Sequence, residues 1–151
     1  MSKATITSIG ALIILLFGAW LSFNYLPARN RVQHEAVVGF YAQYSKAVMS
    51  ALSDSSENVT NGVLFHTYYV RVKALDLTHC PKKFRRVWLD FLNEVRRLDE
   101  MNSTGKITVE LGSFVNSLNL NHPPRVALVD SACERYEVCR EVALEYGLRV
   151  Q

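Results

Sequence analysis

The chain reads as mainly α: one N-terminal transmembrane helix followed by a small helical bundle, with a short strand at 107–111 as the one candidate β element. Three observations predict this. Ala4 to Ala28 is a run of twenty-five consecutive uncharged residues. Further on, Val37, Tyr41, Tyr44, Val48 and Ala51 recur at steps of four, three, four and three, the period of one helix face. After Pro81, the residues Phe84, Val87, Trp88, Phe91, Leu92, Val95 and Leu98 repeat that period against a charged opposite side.

The first run is long enough to cross a bilayer, because at about 1.5 Å per residue it covers a hydrocarbon core of about 30 Å. Trp20 and Tyr25 fall toward its end, where amphipathic rings favour the interface, and Asn24, Pro27, Arg29 and Arg31 close it. A cleaved signal peptide is the rival reading. The run exceeds the roughly 7–15 residues of a signal core, and Leu26-Pro27-Ala28 is a poor small-residue cleavage site, so an uncleaved anchor over 1–28 is favoured. Lys3 with the amino terminus nearly balances Arg29 and Arg31, and a short leader ahead of a large domain inserts most simply with residues 29–151 exported. Gly18 and Ser22 form a small-xxx-small pair of the kind that lets two spanning helices approach.

The remaining residues suffice for one domain. Their net charge is +2, the +3 of the whole chain less Lys3, which is no polyanion-binding signature, and nucleic acid is not expected as a partner. Cys133 and Cys139 sit six residues apart on an expected helix, about 9 Å along its axis, too far to bridge. A disulfide therefore has to involve Cys80; the alternative is three buried thiols acting as small hydrophobes.

Element by element, a helix is expected from about Asn30 to Leu52, then a polar loop over Ser53 to Gly62. Residues 63–77 have strand-forming composition, yet Val63, Val70, Ala74 and Leu77 fit a helix face, and a lone strand has no partner, which favours helix. Pro81 suits the first turn of the next helix, to about Glu100, with Thr78 or Cys80 as cap. NSTGK over 102–106 reads as a turn. Residues 107–120 fit either a short strand, in which Ile107, Val109 and Leu111 alternate with Thr108 and Glu110, or a helix burying Leu111, Phe114, Val115 and Leu118. A last helix is expected from about Pro124 to Tyr146, burying Val126, Val129, Cys133, Tyr136 and Ala143 and stopped by Gly147.

Little in the sequence carries chemistry. His79 beside Cys80, with His34, His66 and His122 elsewhere, lacks any ligand spacing for zinc or haem, so no metal and no cofactor are expected. Cys80, activated by His79 or by the field of the following helix, is a candidate reactive thiol, against the plainer reading that Thr78 to Pro81 is a helix entry. Asn58-Val59-Thr60 and Asn102-Ser103-Thr104 fit the glycosylation pattern in expected loops. The stronger signal is electrostatic: Arg71, Lys73, Lys82, Lys83, Arg85 and Arg86 place six basic residues in sixteen positions against the single acid Asp76. Four of them crowd a helix N-terminus, which carries partial positive charge and prefers acids. Either an acidic protein surface or anionic lipid headgroups explains their retention, against the plain reading of a solvated, screened face.

Within residues 74–95, Asp76, Leu77, Cys80, Pro81, Phe84 and Arg85 resemble a segment of the type D-L-S-x-C-P-x-x-F-R found in small uncharacterised bacterial exported or anchored proteins, with Thr78 in place of the usual Ser. The resemblance covers about 22 residues and implies an exported helical domain but no activity, so no functional residue is carried over.

The reading that follows is a single-pass membrane protein whose extracytoplasmic helical domain is a non-enzymatic interaction or accessory module, with the basic residues between 71 and 86 as its polar contact. An enzyme or small-ligand carrier using Cys80 and His79, and a secreted domain released by cleavage, are the competing readings.

Overall fold

A computed structural model describes residues 26–54, 60–119 and 127–148. They form helices α1 (Leu26–Ser53), α2 (Asn61–Lys73), α3 (Lys82–Ser103), α4 (Leu111–Asn119) and α5 (Ala127–Glu145). The expected spanning segment lies outside the described residues except for its last three positions, and so do the Gly18/Ser22 pair and the first two residues of the 58–60 sequon. Among the described residues no helix is long and apolar enough to cross a membrane.

The periodic stripes become the core. Val37, Phe40, Tyr44, Val48 and Ala51 of α1 are buried in one cluster with Phe84, Trp88, Phe91, Val95 and Leu98 of α3, while Tyr41, Val87 and Leu92 lie at its margin. Val129, Cys133, Tyr136 and Ala143 close it from α5, joined by Ala132, Cys139 and Val142. Residues 63–77 resolve as helix through Lys73, but on a different face from the expected one: Leu64, Phe65, Tyr68 and Val72 are buried, whereas Val63 and Val70 are exposed and Ala74 and Leu77 lie beyond the helix. Strand propensity yields there because α1 and α3 offer helical faces to pack on, and no described segment offers a strand edge.

The order of packing positions everything that follows. The Cys80 thiol approaches the Ala36 carbonyl at 3.8 Å, the Phe40 and Phe84 rings lie 5.3 Å apart, and those of Tyr44 and Trp88 also lie 5.3 Å apart. Each pair is separated by 44 residues, so α1 and α3 run parallel and in step. α5 runs against them: Lys83 pairs with Glu145, the Cys139 thiol donates to the Val87 carbonyl at 3.2 Å, and Phe91 faces Tyr136 at 5.2 Å. The first part of α1, the start of α3 and the end of α5 therefore share one end of the bundle. His34 ties that end together by donating through Nδ1 to the Tyr146 carbonyl at 2.6 Å.

Several expectations are corrected at element boundaries. The described part of α1 already includes Leu26 and Pro27, four residues before the expected start near Asn30. Pro81 is the cap residue of α3 rather than a residue of its first turn, and its carbonyl accepts from the Arg85 N–H at 2.9 Å. Neither Thr78 nor Cys80 caps with its side chain; the Thr78 N–H donates instead to Asp76 Oδ1 at 2.8 Å. The strand at 107–111 is absent, and Leu111 opens α4. Val109, which a strand needs to pair with a neighbour, is satisfied by the side chain of Asn102: the Val109 N–H donates to Oδ1 at 3.3 Å and Nδ2 donates to the Val109 carbonyl at 3.4 Å. α3 also runs on to Ser103, so Asn102 is buried within a helix and is not the loop acceptor its sequon suggested.

Two helices stop in the same way. Gly105 and Gly147 take φ of 69° and 83°, and the pairs Gly105 to Asn102 with Lys106 to Met101, and Gly147 to Leu144 with Leu148 to Ala143, close the last turns of α3 and α5. A side chain at Gly147 also has no room, since a Cβ there meets His34 Nδ1 at 2.9 Å.

Candidate functional site

The six basic residues do not form one patch. Arg71 on α2 reaches past the end of α1 to Asp54 at 2.6 Å, and Lys73 lies over the Tyr69 ring, 5.7 Å from its centroid. Lys83 is held by both carboxylate oxygens of Glu145, at 2.6 and 2.5 Å. Lys82, Arg85 and Arg86 are exposed on the first two turns of α3 and make no hydrogen bond or ion pair among the described residues. No acid occupies the first turn of that helix. Successive helical residues turn by about 100°, so these three fan across the face opposite Phe84 and Trp88. Leu89, about half exposed, continues the same face one turn on. Three unpaired cations thus add to the partial positive charge of a helix N-terminus, an arrangement that opposes folding slightly and attracts an anion.

Cys80 sits beneath this surface. Its thiol is buried and aimed at the Ala36 carbonyl, not at His79, to which no hydrogen bond joins it among the described residues. Burial pushes the thiol up from its ordinary value, Asp76 adds to the shift, and Arg85 opposes it. That direction keeps the sulfur protonated and un-nucleophilic at neutral pH. Hydrogen bonds from Thr78 hold the Asp76 carboxyl below its usual value. Cys133 and Cys139 are buried free thiols as well, pushed up to about 11 and about 12 by burial. All three cysteines are free, so the disulfide through Cys80 is not formed.

At the other end of the bundle the structure brings together a pair that sequence reasoning did not connect. His66 on α2 meets Asp99 on α3, with 2.9 Å between Nδ1 and Oδ2, and Asp99 is buried while His66 is largely exposed. Oδ1 of Asp99 has no partner among the described residues. His66 borders an open cavity of about 650 Å³ that also meets Ser103 and Thr108. No hydroxyl is hydrogen-bonded to the imidazole among the described residues, so the pair lacks a nucleophile in place. Its evident effect is to satisfy one oxygen of a buried carboxylate. Thirty-three residues separate the two, and neither belongs to a recognisable motif, so the only prior signal was a lone acid on the apolar side of α3. Among the described residues no group of three histidine, cysteine or acidic side chains is placed to hold a metal.

Compared with known proteins, the chain matches no family model, no curated protein and no solved structure.

Proposed function

We propose that this chain is a single-pass membrane protein, anchored through residues 4–28, whose helical domain is a non-enzymatic interaction module with Lys82, Arg85 and Arg86 as its polar contact. One observation carries the reading: Lys82, Arg85 and Arg86, the cations of the basic stretch that have no hydrogen-bond, ion-pair or ring partner among the described residues, gather at the end of the bundle that the first part of α1 shares. The apolar run that precedes α1 supports the anchor, and the buried, protonated Cys80 thiol leaves the competing enzymatic reading without a nucleophile. The domain is extracytoplasmic in this reading. Membrane flotation of the full chain after an alkaline carbonate wash tests the anchor, and reporters fused after Gln151 test its direction. Release into the wash removes the anchor, and a cytoplasm-active reporter reverses the topology.

A further inference from the structure

Resting on that reading, we infer that Lys82, Arg85 and Arg86 dock the bundle onto the anionic lipid headgroups of the membrane in which the chain's own apolar segment sits.

Distance favours this occupant. The apolar run ends at Ala28, and α1 continues from there as helix. By the constant offset of 44 residues, Lys82 stands level with Val38, ten residues beyond Ala28, or about 15 Å along the α1 axis. The headgroup layer outside the hydrocarbon core is about 5–7 Å thick, which leaves Lys82 with about 8–10 Å to cover. Side chains on a helix lean toward its N-terminus, and α3 starts at the membrane-facing end, so Lys82, Arg85 and Arg86 all lean toward the lipid. An extended lysine spans most of that gap; Arg85 and Arg86 stand about 4.5 and 6 Å further from Ala28, and what their side chains leave uncovered is comparable to the Debye length of about 8 Å at physiological salt. Spanning helices tilt by about 20° on average, which lowers one flank of the bundle further.

Charge favours the same occupant. A fan of cations across a broad arc suits a diffuse sheet of phosphates better than one carboxylate, and none of the three is paired with an acid among the described residues.

The test uses the full chain in vesicles of phosphatidylcholine, with or without phosphatidylglycerol. A donor dye is placed at His79→Cys, at the membrane-facing end, or at Thr104→Cys, at the distal end, both exposed while the native thiols are buried. Energy transfer to a headgroup-labelled lipid is then read. Phosphatidylglycerol should raise transfer from position 79 and not from 104, and high salt should reverse the rise. Each cation removed should lower the docking equilibrium constant roughly fivefold, so the triple change Lys82→Gln, Arg85→Gln, Arg86→Gln should abolish the response. This neutral variant spares Lys83 and its Glu145 partner, and unchanged helical circular dichroism certifies its fold. Equal transfer with and without phosphatidylglycerol, in a chain that floats with the vesicles, overturns the lipid inference and leaves the anchor standing. A crosslinked acidic protein lost in the triple variant, with no lipid response, overturns it in favour of a protein partner. A chain that does not float overturns both.

Discussion

The indole of Trp88 meets the ring of Phe40 nearly edge to face, with 4.6 Å between centroids and 79° between planes. Tyr44, Phe84 and Phe91 complete the cluster around Trp88, which is fully buried. Through this cluster α1 and α3 hold their parallel register, so the ring at 88 is where the fold and the proposed membrane-facing surface are joined. Trp88→Ala should cost about 3–5 kcal/mol by the lost transfer energy and the cavity left behind. Trp88→Phe should cost much less, because it keeps an aromatic contact and removes an indole N–H that has no partner among the described residues. Denaturant titration of the two variants in mild detergent checks the difference; equal losses would mean that the indole nitrogen is satisfied after all.

Asn102 substitutes for a strand neighbour. Its amide serves both the N–H and the carbonyl of Val109, so Asn102→Ala orphans two buried backbone groups at once. A loss of about 2–3 kcal/mol is expected, against less than about 0.5 kcal/mol for the exposed Asn93→Ala on the same helix. Amide exchange at Val109 should quicken in the first variant alone.

That contact also marks the limit of what the sequence discloses. The long amphipathic run from Phe84 to Leu98 was legible because one period of apolar residues outlasts any local ambiguity. The segment from Ile107 to Leu111 was not, because its alternation fits a strand and the amide that holds it extended belongs to the preceding helix. Helical periods likewise reveal which faces are buried but not the direction in which two helices lie against each other. The step of 44 residues from Ala36, Phe40 and Tyr44 to Cys80, Phe84 and Trp88 is a property of the packed chain. For the same reason the basic stretch read as one patch: the acids that engage Arg71 and Lys83, Asp54 and Glu145, lie 17 and 62 residues away.

The core should be sensitive to alkali. Burial pushes Cys139 from 9.0 to about 12, Cys133 from 9.0 to about 11 and Tyr136 from 10.0 to about 12, and it raises Tyr41, Tyr44 and Tyr68 above the ordinary tyrosine value as well. Between the ordinary and the raised values the folded chain holds protons that the unfolded chain has released. The stability these groups contribute is therefore complete below about pH 9 and falls as pH rises toward 12. The share of the tyrosinate absorbance that comes from Tyr41, Tyr44, Tyr68 and Tyr136 should appear together with the loss of helical signal in one cooperative step. Ionisation of all the tyrosines with the helices intact would contradict buried phenols.

The central claim is that the start of α3 shares the end of the bundle at which the chain enters α1, and spin-label distances test it most directly. Val38, Met49, Lys82 and Asn93 are exposed, and the offset of 44 residues pairs 38 with 82 and 49 with 93. Double electron–electron resonance on the full chain should give short distances for those two pairs and longer ones for 38 with 93 and 49 with 82, the axial shift being about 16 Å for eleven residues. The reverse pattern would mean antiparallel helices, and would put Lys82, Arg85 and Arg86 at the end of the bundle remote from the membrane.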